Sequence, residues 1–154
     1  MTKPDLETVA ALLHKGWMEF KRRQGVEFGQ ERSQTTHPHF VNWLSLDNDS
    51  QNQDRFMAAA ILRDWGRGLL APADLPAAIH NAWADWSNLQ GEEHSHARPY
   101  FQAHSVESPG EHFIQADLIL PILADKKRLQ GSSIARKKCL ALLPLALFAS
   151  HVGR

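Results

Sequence analysis

The sequence predicts an all-α fold, a compact helical pseudo-dimer of two repeats with long irregular loops. Three observations carry this. Apolar residues recur at three- and four-residue spacing in several segments, which puts them on one face of a helix. No alternating run is long enough for a sheet. The order helix, long polar loop, helix occurs twice. At 154 residues the chain suits one domain, 1–154. Within it the first repeat spans about 5–70, the second about 74–130, and a C-terminal helix about 133–151.

The first helix, about 5–23, carries Leu6, Val9, Ala10, Leu13, Trp17 and Phe20 on one side, and Pro4 with Asp5 suits its start. Gly25 and Gly29 end it and flank a turn. Residues 24–52 are mostly irregular, with short extended pieces expected near 26–28 and 40–43. Helix returns at about 53–66 with Phe56, Ala60, Ile61 and Trp65, and Gly66 and Gly68 stop it. Pro72 and Pro76 punctuate the link. Asp74 is the expected N-cap of a third helix bearing Ile79, Ala82, Trp83 and Trp86. A second polar loop, 88–110, precedes a fourth helix, about 111–129, and a fifth, about 133–151, capped by Ser132 or Ser133. Pro121 and Pro144 predict kinks or broken turns in these two.

The copies share residues. Leu13-His14-Lys15-Gly16-Trp17 parallels Ile79-His80-Asn81-Ala82-Trp83. His37-Pro38-His39-Phe40 parallels Arg98-Pro99-Tyr100-Phe101, and Ala60-Ile61-Leu62 parallels Pro121-Ile122-Leu123. The offset is 66 residues at the tryptophans and 61 at the later pairs. Repeats this short pack together because neither buries its apolar face alone.

Composition narrows the function classes. Lys plus Arg and Asp plus Glu each number 17, so no global field draws the chain onto nucleic acid or anionic lipid, and an anion site must be a local cluster. The single cysteine, Cys139, excludes an internal disulfide. The longest apolar run, Cys139 to Ala149, falls short of the ~20 residues of a membrane span. No apolar signal core opens the sequence, and a reducing cytoplasm is the expected compartment.

The first copy resembles the ryanodine-receptor repeat family. The resemblance covers about residues 6–66 and rests on His14-Lys15-Gly16-Trp17, Lys21, the turn from Gly25 to Gly29, Arg32, His37-Pro38 and Asp54-Arg55. Val26 stands where the family usually has Trp. The second copy keeps His80, Trp83 and Pro99 but lacks the glycine-flanked turn. The resemblance implies a pseudo-symmetric helical domain that holds a nucleotide in the cleft between repeats, flanked by Trp17 and Trp83. It also implies a small prokaryotic or phage member, working near defence systems that signal with nucleotides.

The residues give part of that case themselves. Two indoles facing across a pseudo-two-fold axis make a slot for a flat ring, and stacking contributes ~1–3 kcal/mol per base. Phosphates need cations, for which Lys21, Arg22, Arg23, Arg32 and Arg98 are candidates, with His14 and His80 beside the tryptophans. The opposing reading is that Trp17 and Trp83 are core, Lys21 is a solvated helix end, and Arg32 pairs with Glu27 or Glu31. His37-x-His39 and His94-x-His96 are each only half of a metal set, so no metal is expected. Cys139 lies in an apolar helix that disfavours a thiolate, and neither a nucleophile elbow nor a phosphate loop is present. The expected function is a non-catalytic small-molecule-binding module without cofactor, a sensor or sponge for a nucleotide signal. The alternatives are an interaction module that uses the apolar C-terminal helix, a second copy of the chain being one candidate partner, and an enzyme acting on a nucleotide. Neither a membrane nor nucleic acid is the expected partner. The basic clusters Lys126–Arg128 and Arg136–Lys138 are read as solvated helix ends, the alternative being a joint site for nucleic acid backbone or an acidic partner.

Overall fold

The structure, a computed structural model, describes residues 6–91 and 110–141, with side chains as far as residue 125. It is mostly helical. Helix α1 (Leu6–Arg23) leads to a two-residue parallel pair, β1 (Glu27–Phe28) and β2 (Thr36–His37), then a 3-10 turn at Trp43–Ser45 and α2 (Asn48–Gly66). A second 3-10 turn, Pro72–Asp74, precedes α3 (Leu75–Leu89), and α4 (Gly110–Ala141) completes the described chain.

The helices pack in a ring. α1 meets α2 and α4, α3 meets α2 and α4, and the pairs α1/α3 and α2/α4 lie across the diagonals. Val9 and Leu13 of α1, Met57 and Ile61 of α2, Leu75 and Ile79 of α3, and Ile119 and Leu123 of α4 form one core. Each side chain contributes roughly 1.5–3 kcal/mol on burial. Trp65 is buried there, and its Nε1 donates to the Leu123 carbonyl at 2.9 Å, tying α2 to α4. Gly16 sets the approach of α1 to α4: a Cβ there would lie 2.6 Å from Gln115 Cγ and 2.9 Å from its Cα.

Burial repeats along the chain. Val9, Leu13, His14 and Gly16 are buried, as are Leu75, Ile79, His80 and Ala82, at the 66-residue offset of the tryptophans. In the second helix of each pair, Met57, Ala58, Ile61 and Trp65 correspond in burial to Gln115, Ala116, Ile119 and Leu123. That offset is 58 residues, not the 61 of the Ile-Leu match. The matched letters sit on different faces, since Leu62 is only half-buried where Leu123 is fully buried.

Helix ends follow local chemistry. After α1, Gly25 takes φ +79°, with its N–H on the Arg22 carbonyl and that of Val26 on Lys21. This Schellman closure suits a residue lacking Cβ. Gly68 closes α2 in the same way, its N–H on Trp65 and that of Leu69 on Asp64. Helix α2 begins five residues earlier than the periodicity predicts, because Asp47 caps it by accepting from the Ser50 N–H at 2.9 Å. Asp74 occupies the N-cap position of α3, but its carboxylate turns back to the Ala71 N–H at 3.0 Å.

Three further expectations change. The extended segment pairing with β1 is Thr36–His37, while residues 43–45 form a 3-10 turn. The fourth and fifth helices are continuous from Gly110 to Ala141, so Gly131 and Ser132 lie inside a helix instead of ending one. Glycine there costs only about 1 kcal/mol against alanine. Pro121 is also internal and sits on the exposed face. The segment 142–151 of the expected last helix, with Pro144, lies outside the described residues, as do Pro4, Asp5, Arg98 and the His94–His96 pair. No described helix is long and apolar enough to cross a membrane.

Candidate ligand-binding site

A cavity of about 990 Å³ opens at one end of the ring. The C-terminal halves of α1 and α3, the N-terminal turns of α2 and α4, and the loop through β2 wall it. Trp17 and Trp83 come from diagonal helices, and both line it. Lys21, Arg32, His14 and His80 line it too, so six of the nine candidate ligand residues share one cavity. Arg22 and Arg23 do not line it, and Arg98 is outside the described residues.

The tryptophans are half-buried and not sealed in the core. His14 stacks on Trp17 with ring centroids 5.5 Å apart and planes 25° apart, and His37 meets the same indole edge-on at 4.9 Å. Trp17 therefore has one face already occupied, which modifies the expected open two-indole slot. Trp83 tilts against His80 at 5.8 Å.

Hydrogen-bond directions fix the histidines. His14 Nε2 lies 2.8 Å from the Val41 carbonyl and must donate to it, leaving Nδ1 as the ring's acceptor. His37 Nδ1 accepts the His39 N–H, at 3.1 Å. Ser50 Oγ donates to Asp47 at 2.6 Å, so it accepts from His39 Nε2 at 3.1 Å. Together these bonds pin the His37–Val41 loop between α1 and the start of α2. In the second half, Gln115 Nε2 donates to the Leu13 carbonyl at 2.9 Å, so its Oε1 accepts from His112 Nδ1. His112 Nε2, in the neutral ring, then accepts from His80 Nδ1 at 3.1 Å.

Charges in the cavity are sparse and segregated. No carboxylate lies within 4.0 Å of Lys21 or Arg32 among the described residues, so the Arg32 pairing with Glu27 or Glu31 that the opposing reading held does not form. By contrast, Arg22 and Arg23 bind Glu19. Asp49 and Glu111 sit in the first turns of α2 and α4, where they complement the helix dipoles. Burial, with the Arg32 charge second, holds His37 down to about 4. Burial also lowers His14, although its bond to the Val41 carbonyl opposes this.

Asp54, present in the sequence analysis only as part of the Asp54-Arg55 element of the resemblance, is one of the cavity residues that sequence reasoning missed. Arg55 does have a structural role, reaching Glu7 of α1 at 2.6 Å. Asp54 points the other way, lines the cavity and is 8% exposed. Its Oδ2 lies 3.6 Å from His14 Nδ1, too far for a hydrogen bond. Burial, aided by the negative Glu111, pushes its carboxyl up to about 8. Desolvation disfavours charge on both partners, so the pair is a protonated carboxyl beside a neutral imidazole and not an ion pair. Among the described residues, no group of three or more His, Cys, Asp and Glu is arranged to hold a metal ion.

The cavity can thus take an aromatic group beside indole and imidazole rings and an anionic group at Lys21 and Arg32. No family model, no curated protein and no solved structure matches the chain.

Proposed function

We propose that the chain is a non-catalytic binding module for a nucleotide or nucleotide-derived signal, held in the cavity between the two helix pairs. The observation that carries the reading is the meeting of Trp17 and Trp83, from diagonal helices, on one cavity that also holds Lys21 and Arg32, cations with no carboxylate partner among the described residues. A volume of about 990 Å³ is at the upper end of small-molecule sites. Release from a cavity walled by four helices and a loop is slow when these must part first, which suits a sensor or a sequestering sponge. The ryanodine-receptor repeat resemblance adds a setting in phage–host conflict, and the single cysteine favours a reducing cytoplasm.

The test is a thermal-shift screen of mono-, di- and cyclic nucleotides and ADP-ribose types, with Trp17→Ala and Trp83→Ala alongside. Binding raises the melting temperature in proportion to RT ln(1 + [L]/Kd). Both substitutions remove most of the shift. Hits that stabilise both variants as well as the parent place the ligand elsewhere. Lys21→Gln and Arg32→Gln weaken nucleoside diphosphates more than the parent nucleosides.

The enzyme reading draws on one observation, the protonated carboxyl of Asp54 in a cleft, since displaced carboxyls gather at catalytic sites. The Nε2 of His14 is committed to a backbone carbonyl, which leaves only Nδ1, 3.6 Å from Asp54, as a base. Chromatography after long incubation separates the two: a binding module returns the ligand intact.

A further inference from the structure

Buried polar groups are nearly always hydrogen-bonded, and the cavity wall largely obeys this. His14, His37 and Gln115 each hold a backbone partner. Asp54 does not. It is 8% exposed, its Oδ2 lies 3.6 Å from His14 Nδ1, and among the described residues it makes no hydrogen bond. A carboxyl held this way, on the rigid first turns of α2, is a costly feature for a structural residue. It is an economical one for a residue whose partner arrives with the ligand.

We propose that Asp54 is the specificity-determining residue of the cavity, binding the amino-bearing or lactam edge of a nitrogen heterocycle through both carboxyl oxygens. This rests on the nucleotide-binding reading above and names the part of the ligand it selects. The surroundings choose this chemistry over an aliphatic ammonium ion. The wall presents flat groups, with Trp17 stacked on the His14 ring that Asp54 faces, and it carries Lys21 and Arg32, which repel a cationic ligand. A ring nitrogen next to an exocyclic amino group spans two carboxyl oxygens. A carboxylate takes two N–H groups from a donor–donor edge, as in guanine. A carboxylic acid gives one proton and accepts one N–H at an acceptor–donor edge, as in adenine or cytosine. A lactam edge, as in hypoxanthine or uracil, also pairs with the acid, its N–H donating and its carbonyl accepting. A purine ring with no exocyclic group leaves one carboxyl oxygen unsatisfied, and a site built around such a bond rejects the analogue lacking it by large factors.

The experiment is calorimetric titration of the whole chain with AMP, GMP and CMP against purine riboside monophosphate, which keeps the ribose phosphate but has no exocyclic group on its ring. In the parent, at least one of the three nucleotides binds tenfold or more tighter than this analogue. Asp54→Leu erases that preference and leaves all four at one weaker affinity. Asp54→Asn, offering one donor and one acceptor, recovers part of the binding of AMP or CMP but not of GMP. Melting curves of both variants establish that they are folded. A parent that binds the analogue as tightly as the other three, or an Asp54→Leu variant that keeps the tenfold preference, overturns the proposal and leaves nucleotide binding standing. A parent that binds none of the four overturns both.

Discussion

Replacing Asp54 with leucine is expected to make the protein more stable, and by an amount that grows with pH. The side chains are similar in shape, so the change removes a charge-bearing group without opening a large void. The native carboxyl is pushed up to about 8 from an unfolded value of 3.8. Between those values the native state holds a proton that the unfolded chain has released, so the parent loses stability as pH rises through the window. The full linkage at pH 7 is about 4 kcal/mol, at 1.36 kcal/mol per unit. Burying even the neutral carboxyl without a partner adds about 1 kcal/mol. The residual solvent contact of Asp54 reduces the total, and the expected gain for Asp54→Leu at pH 7 is roughly 2–3 kcal/mol. His14 and His37 are lowered and oppose this trend, costing stability as pH falls below the usual histidine value. They are common to both proteins and drop out of the difference. Urea unfolding of parent and variant at several values between pH 5 and 8 measures it. A variant less stable than the parent at pH 7 refutes the neutral carboxyl and makes Asp54 the anion of an ion pair with His14. An advantage that stays flat across the range refutes the linkage.

Gly16→Ala is expected to cost roughly 1–2 kcal/mol in urea unfolding. The new methyl meets the Gln115 backbone at 2.9 Å and forces α1 from α4, and the overpacking outweighs the helical preference of alanine. Trp65→Phe lowers stability by roughly 1–2 kcal/mol through the lost bond to Leu123 and a small void, and leaves nucleotide titrations unchanged because Trp65 is not on the cavity. Gly25→Ala costs about 1 kcal/mol in thermal unfolding, since φ +79° strains any residue with a Cβ, although space is open there.

What could be read from the sequence divides along physical lines. Faces of single helices were legible, because Val9 and Leu13, or Ile79 and Ala82, sit at the spacing that makes one buried stripe. Helix ends at Gly25 and Gly68 were legible because only glycine tolerates that turn cheaply. The start of α2 was not, because Asn48 to Asn52 carry no apolar signal and the helix depends on the Asp47 cap. The tryptophans and basic residues of α1 and the loop were legible because the first repeat keeps them near one another in sequence. Asp54, Glu111, His112 and Gln115 were not, because they reach the cavity only through the diagonal placement of α2 and α4, which no short motif encodes. The repeat itself shows how the wrong letters can win. Ile61-Leu62 and Ile122-Leu123 match in type, yet burial aligns Ile61 with Ile119 and Trp65 with Leu123. At that alignment Asp54 corresponds to His112, the very residues that face His14 and His80. The two half-sites therefore share a geometry, a histidine of the first helix facing a polar residue in the first turns of the second. They differ in chemistry: the first half presents a carboxyl without a hydrogen bond among the described residues, while the second presents an imidazole bonded to its neighbours. A symmetric frame with unlike walls suits a ligand whose two ends differ, which is why the choice of guest is assigned to Asp54 and not to the tryptophans that both halves share.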